Sequence, residues 1–357
     1  MIKKKIIFFL QNLNGGGAER VSMNIINLLD KDKYEIHLVL VKKKGAYLNL
    51  IPSYVKVYEL GFSKTMFSVF KLRKKINELQ PDIIYSTLFR THIAVHFALQ
   101  GLAYRPKTIF RMQNSPKLVL ENKRLPWIQR VFLEKALKHA TKVIAQTPQM
   151  KEEVVFYHKV MAKKIEVFIN PLDTKLIQKS IEGAKNPFDD RYINVVASGR
   201  VTYQKGYDIL IKAFNKVSIA NRNYKLFIIG ETKTNKIEEC RALVKKYHLE
   251  DVVHFLGFQS NPYVYYLHAD LFVLSSRWEG LPNVVLESLY LNKPVVGTRC
   301  ISFMETLIDD GKNGFLVDVE DSETLASKIL DFQSLSTQGF GTFKLESTEQ
   351  INHTFDI

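Results

Sequence analysis

Cys240 and Cys300 are the only two cysteines in the 357 residues, and they form no paired spacing. Neither a disulfide framework nor a cysteine metal site is supported, and a reducing compartment is expected. Long apolar runs are missing too. None approaches ~18 residues, so no membrane-spanning helix is expected. Met1–Leu10 places lysines before an apolar stretch, in the manner of a secretory signal. No small-residue cleavage site follows, and Asn12-Leu-Asn-Gly-Gly-Gly17 reads instead as the turn after a strand. Acidic residues are scarce in the first half. Residues 1–170 hold 30 Lys and Arg against 12 Asp and Glu, whereas residues 171–357 hold 21 against 24. The whole basic excess behind the net charge of +15 thus lies in the first half. Nucleic acid, an anionic membrane surface or a phosphorylated acceptor would each suit it. Sequence-specific nucleic-acid motifs are absent, which leaves the last two.

What is present is ample apolar material, 46% hydrophobic against 24% charged residues, enough for two globular domains at this length. Apolar β-rich runs alternate with helical patterns throughout. Lys5–Leu10, Glu35–Val41, Pro81–Tyr85, Thr108–Met112 and Lys142–Ala145 read as strands, and Ala18–Leu29 as a helix with apolar residues at Val21, Ile25, Leu28 and Leu29. Short strands between helices imply βαβ units and parallel sheets. The rhythm breaks over residues 171–192, a polar stretch with Pro171 and Pro187 that reads as a linker. It resumes with the strand Ile193–Ala197 and the helix Tyr207–Ala220 and continues to a last helix, Ser322–Leu330. The expected organisation is a first domain over 1–170, a linker over 171–192, a second domain over 193–331 and an atypical polar tail over 332–357. Two open α/β domains of this kind bind ligands at the carboxyl edges of their sheets.

The strongest local pattern is Glu279-Gly280-Leu281-Pro282-Asn283-Val284-Val-Leu-Glu287, directly after the buried run Leu271–Leu274 and Ser275-Ser-Arg-Trp278. Pro282 suits the first turn of a helix, where no amide donor is needed. The amides of Leu281–Val284 then point out of a helix N-terminus, a natural site for a diphosphate. Glu287, about one turn into the helix, is placed to accept from a vicinal diol. The plain alternative is two solvated glutamates flanking an ordinary helix start. A second pattern, Ser198-Gly199-Arg200-Val-Thr-Tyr-Gln-Lys205-Gly206, follows the first strand of the second domain. Its arginine fork and lysine point charge suit a pyrophosphate; the alternative is a solvated basic loop. Gly257-Phe258 closes a third strand, where a glycine lets the chain approach a flat ligand.

Arg-Trp-Glu-Gly-Leu-Pro-Asn-Val-Val-Leu-Glu, with its two glutamates at positions 279 and 287, resembles the signature of the retaining GT-B glycosyltransferases of glycosyltransferase family 4. The resemblance covers roughly residues 1–330. It implies two Rossmann-like α/β/α domains facing a cleft, with the donor nucleotide-diphosphate sugar held mainly by the second. It further implies that Glu279 contacts the donor sugar, Glu287 the ribose, Gly199, Arg200 and Lys205 the diphosphate, and Gly257-Phe258 the base. Asn14-Gly15-Gly16-Gly17-Ala-Glu-Arg20 lacks the G-x-G-x-x-G spacing, and Val41-Lys-Lys-Lys44 supplies no acid for a dinucleotide ribose, so NAD is disfavoured. The loop resembles the family's first glycine-rich loop, which implies donor contact through Gly16 or Gly17.

One departure concerns the histidine that many members carry after a first-domain strand. Here the stretch is Arg111-Met-Gln113-Asn114-Ser115. Gln113 can hydrogen-bond to a sugar but cannot act as a base. Gln113 and Asn114 are therefore the acceptor-side candidates. His92 and His96 read as core or surface residues of a helix over 91–99. No cofactor is expected, because the nucleotide sugar is a substrate. No metal is expected either: Asp30-Lys-Asp32 reads as a turn at a helix end, and the cationic groups at 200 and 205 can do a metal's electrostatic work. Basic residues interleave with apolar ones in Ser63–Lys75 and in Asn122–Phe132. Both stretches suit peripheral contact with an anionic membrane, or equally amphipathic helices packed on a sheet. The expected activity is metal-independent retaining sugar transfer, probed as a UDP-sugar reaction, to a lipid-linked saccharide at the cytoplasmic membrane face in cell-surface polysaccharide assembly. A nucleotide-sugar epimerase of the same architecture and a non-catalytic partner subunit are the alternatives. The polar tail lends weight to the second.

Overall fold

A computed structural model describes residues 2–121, 126–335 and 348–357. The chain divides into two compact units, the first running to Asp173 and regaining the C-terminal helix, the second beginning at Thr174.

The first unit is built on seven parallel strands: β1 (Lys4–Leu10), β2 (Tyr34–Leu40), β3 (Lys56–Glu59), β4 (Ile83–Thr87), β5 (Lys107–Arg111), β6 (Lys142–Ala145) and β7 (Ile165–Val167). Their order is β3-β2-β1-β4-β5-β6-β7. Strands covered on both faces need apolar residues at successive positions, and Ile6, Ile7, Phe8 and Phe9 are all fully buried. Ile7 and Phe9 face one core, with Leu72, Ile93, Ala136 and Val154 from the helices Val69–Leu79, Phe89–Leu99, Trp127–His139 and Pro148–His158. Ile6 and Phe8 face the other, with Val21 and Ile25 of the helix Gly17–Leu28 and with Ile351 and Phe355.

That last pair corrects the expectation for the tail. Thr348–Phe355 is a helix belonging to the first unit. Eight residues with two deep apolar anchors leave too little periodicity to register in a sequence reading. Gln338-Gly-Phe-Gly-Thr342, which prompted that reading, lies outside the described residues. The linker expected over 171–192 also differs, since Thr174–Ile181 is a helix of the second unit. Its amphipathic pattern buries Ile177, with Leu176 and Ile181 half-buried and Lys175, Gln178 and Lys179 exposed.

The second unit carries β8 (Ile193–Ser198), β9 (Tyr224–Ile229), β10 (Val253–Gly257), β11 (Leu271–Leu274), β12 (Val295–Thr298) and β13 (Gly314–Val317). They are parallel, in the order β10-β9-β8-β11-β12-β13. In each sheet the strand order reverses beside the first strand, between β1 and β4 and between β8 and β11. Open sheets of this kind bind ligands at the carboxyl ends flanking such a reversal. The glycine-rich loop follows β1, Gly199 follows β8 and Glu279 follows β11.

His92 belongs to the core: it is buried, its Nδ1 lies 2.7 Å from Ser86 Oγ, and its ring stacks on Phe110 at 4.7 Å. Burial depresses its pKa to about 3, and burial likewise takes His158 down to about 4. The unfolded chain binds these protons near pH 6.5 and the folded chain does not, so stability falls as pH drops from 6.5 toward 4. Between pH 6.5 and 5 each histidine is expected to remove about 2 kcal/mol from the first unit. Urea midpoints at the two pH values check this. A loss in His158→Gln as large as in the wild type would defeat the assignment.

Candidate donor and acceptor sites

In the second unit the loop after β8 and the loop after β11 are tied together. Gly206 sits at φ +62 with its Cα against Ser275 O, and a Cβ there would lie 2.1 Å from that oxygen. Only glycine permits this approach. Ser275 Oγ donates to Lys205 O at 2.9 Å, the Arg277 amide to Gln204 O at 2.8 Å, and Gln204 Nε2 to Trp278 O at 2.9 Å. The result brings Lys205 Nζ to 2.7 Å from Glu279 Oε1. Ser276 Oγ donates to the same oxygen at 2.8 Å, and Ser276 is held in turn by Thr298 Oγ1, which donates to its carbonyl at 2.6 Å. Both members of the pair are mostly shielded, with 18% and 11% of their side chains exposed.

The solvated-glutamate alternative is therefore removed: Glu279 is 9% and Glu287 2% exposed. The charge of Glu279 is felt nearby. Burial, and then Glu279, raise the pKa of Tyr207, and the same two causes push the Cys300 thiol up to about 12. Tyr207 donates to Gly199 O at 3.1 Å, which fixes the turn before Arg200. Arg200 itself is exposed, as is Phe258 after Gly257, whose φ is +70. The helix after Glu279 runs Asn283–Tyr290, with Pro282 at its N-cap rather than in its first turn. Gly280, Leu281 and Pro282 are buried, while Asn283 and Val284 are half-buried at the helix start.

In the first unit Gly16 caps the helix Gly17–Leu28. The loop before it is braced by the segment after β2: Leu13 N donates to Lys44 O at 2.9 Å, and Tyr47 OH to Gly15 O at 3.1 Å. Gly45, at φ +126, packs flat on Leu13, where a Cβ would lie 2.0 Å from its carbonyl carbon. Arg20 Nε donates to Tyr47 OH at 3.0 Å, placing a cation beside the loop. Asp30 forms a turn, accepting from Asp32 N at 2.9 Å, as its sequence suggested.

Gln113 is half-buried and donates through Nε2 to Thr87 Oγ1. Its loop is held from behind by Gln146, whose Nε2 donates to Met112 O at 2.8 Å and to Gln113 O at 3.3 Å. Ser115 Oγ and Lys117 N both donate to Glu153. Asn114 is exposed. The sequence reading missed this scaffold because Gln146 and Glu153 lie 33 or more residues away. It also missed Arg111, which is fully buried and donates to Asn170. Gln113 and Asn114 sit in the first unit, and the Lys205–Glu279 group in the second.

Residues 15–176 match the glycosyltransferase family 4 model and residues 178–338 the glycosyl transferases group 1 model. Two parallel-sheet domains with these matches define the class: the chain is a GT-B glycosyltransferase. It consists of a family 4 domain followed by a group 1 domain. A Methanocaldococcus jannaschii glycosyltransferase described as uncharacterised is 30% identical over 255 residues, 66% of this chain. The chain spans only 60% of that relative's length. A Campylobacter jejuni protein, N-acetylgalactosamine-N,N'-diacetylbacillosaminyl-diphospho-undecaprenol 4-alpha-N-acetylgalactosaminyltransferase, is 28% identical over 347 residues, 94% of this chain and 90% of its own. The capsular polysaccharide biosynthesis glycosyltransferase CapM of Staphylococcus aureus is 24% identical, covering 85% of this chain and 82% of its own. The structure of Anabaena HepE in complex with UDP and glucose superposes with a TM-score of 0.80 at 21% identity, over 99% of this chain and 98% of that one.

Proposed function

We propose that the protein transfers a sugar from a nucleotide-diphosphate donor, a UDP-sugar in the first instance, to a lipid-linked saccharide, with retention at the anomeric carbon. The observation that carries this reading is the Lys205–Glu279 pair at 2.7 Å, beside the helix start at Asn283 and one turn from the buried Glu287. Negative charge grows on the leaving diphosphate, and the cations of Arg200 and Lys205 and the helix dipole stabilise it. No divalent metal is needed for that role, so EDTA is expected to leave transfer intact. Glu279 orients the sugar and Glu287 takes the ribose diol. The phosphate oxygen of the donor accepts the acceptor proton on the same face. Gln113 and Asn114 serve the acceptor side.

A lipid-linked acceptor is supported by the diphospho-undecaprenol in the Campylobacter relative's name. UDP is supported by the HepE complex. Assembly of capsule, O-antigen or lipopolysaccharide at the cytoplasmic membrane face is the setting this implies. Membrane contact through the first unit is supported by Phe67, Phe70 and Trp127, which are 63%, 78% and 75% exposed near Lys64, Lys74 and Arg130. The same stretches also pack inward through Val69, Leu72 and Phe132. Asn122–Leu125 lie outside the described residues. Among the described residues, no helix is long and apolar enough to cross a membrane.

Thermal denaturation with a panel of nucleotides tests the donor site. A hundredfold excess over Kd is expected to add about 2.7 kcal/mol to the second unit. Glu287→Ala and Arg200→Ala should abolish the shift while remaining folded. A folded wild-type sample that no nucleoside diphosphate stabilises would overturn the reading.

A further inference from the structure

Arg277 stands two residues before Glu279. Its side chain is 7% exposed. A guanidinium has five N–H donors, and here each has a partner. Nη1 donates to Asp208 Oδ1 at 2.9 Å and to Tyr203 O at 2.7 Å. Nη2 donates to Asp208 Oδ2 at 2.7 Å and to Glu320 Oε2 at 3.2 Å, and Nε donates to Glu320 Oε1. The guanidinium also lies 3.9 Å from the centre of the Tyr203 ring.

Three segments meet on this one side chain. The first is the Tyr203–Lys205 turn with the start of the helix Tyr207–Ala220, which carries Lys205. The second is the loop after β11, which carries Glu279. The third is the segment after β13, where Glu320 takes a φ of +70, a conformation that persists in a non-glycine residue only when its surroundings fix it. Two carboxylates offset the cation, so Arg277 presents no net positive charge to an anion. Its bonds to Asp208 and Glu320 outweigh burial and raise its pKa, while burial of Asp208 is outweighed by Arg277, which holds that carboxyl low.

We infer that Arg277 is a positioning residue: it fixes Lys205 and Glu279 relative to each other, and through them the donor diphosphate and sugar. The inference rests on the donor-site reading proposed above. Lysine cannot reproduce the planar fork, and small misplacements of reacting groups cost as much as about 100-fold in rate.

The test is a double-mutant cycle on steady-state transfer with a UDP-sugar and a lipid-diphosphate-linked saccharide, using wild type, Arg277→Lys, Lys205→Ala and the double variant. Arg277→Lys is expected to lower kcat about 10- to 100-fold, with less than about a threefold change in donor KM. In the Lys205→Ala background the same change should cost less than about threefold, because the two residues act as one unit. Asp208→Asn keeps the shape of the latch and should show the same non-additivity, which covers the case in which Arg277→Lys does not fold. Additive losses, an unchanged kcat, or a loss confined to donor KM would each overturn the inference while leaving wild-type transfer intact. Wild-type protein that neither transfers sugar nor releases nucleotide overturns the donor-site reading as well.

Discussion

Replacing Lys205 by methionine is expected to lower kcat by about 10²- to 10³-fold, the scale seen when one preorganised charge or donor is removed from a developing anion. Ser275 Oγ holds the lysine backbone at its carbonyl, the stem lies over Gly199, where a Cβ would fall 2.5 Å from Lys205 Cε, and Glu279 takes the ammonium, so on the proposed reading the charge is placed before the diphosphate leaves. The same substitution should destabilise the second unit by about 3 kcal/mol, because Glu279 loses its cation in a site that excludes most water. Those two effects separate on adding Glu279→Gln. The amide can still accept from Ser276 Oγ, which lies 2.8 Å from Oε1, and it carries no charge. The double variant should therefore recover most of the lost stability and none of the lost kcat. Recovery of both in steady-state assays and melts would reduce Lys205 to a counter-ion for Glu279 and remove it from the chemistry.

Local patterns were readable where a few neighbouring residues decide the outcome. β6 falls on the stretch read from sequence, and β1 and β5 begin or end within one residue of it, because strands buried on both faces appear as unbroken apolar runs. β3, with Lys56 and Glu59 at its ends, and the three-residue β7 lie toward the sheet's edges and carry no such run. The two glutamates were readable because nine consecutive positions of one segment hold them both. Their burial was not, since it depends on Ser276, Gln204 and the strands around them. The Arg277 latch was out of reach for the same reason. Its carboxylates stand 69 and 43 residues away in sequence, so nothing in the local pattern assigns the arginine a partner. The linker stretch illustrates a different limit. Thr174–Ile181 is polar enough to pass for a loop, and what ties it to the second unit is distant in sequence, including the bonds from Asn261 Nδ2 to Ser180 O at 2.6 Å and from Gln178 Nε2 to Tyr290 OH at 3.1 Å.

The C-terminal helix yields the largest expected effect on stability. Eight residues do not hold a helix in water unaided, so Thr348–Phe355 is held by what it buries. Phe355 is fully buried, 5.9 Å from the rings of both Phe8 and Tyr85, and Ile351 is fully buried beside it. Polar bonds fix the register: Thr354 Oγ1 donates to Glu166 Oε1 at 2.6 Å, Lys142 Nζ to Thr354 O at 3.0 Å, and Asp30 N to Asn352 Oδ1 at 3.0 Å. Phe355→Ala leaves a cavity against β1 and β4 and is expected to cost about 3–5 kcal/mol. At roughly 2–4 °C per kcal/mol for a unit of this size, the melting of the first unit should fall by about 6–20 °C. Asp356→Asn removes the exposed ion pair with Lys4 at 2.9 Å and should leave the melting midpoint unchanged. Nucleotide-dependent stabilisation of the second unit should survive Phe355→Ala. Calorimetry showing an unshifted first-unit transition in Phe355→Ala would mean that the helix does not dock in solution, and the tail would return to the polar, undocked segment that its sequence suggests.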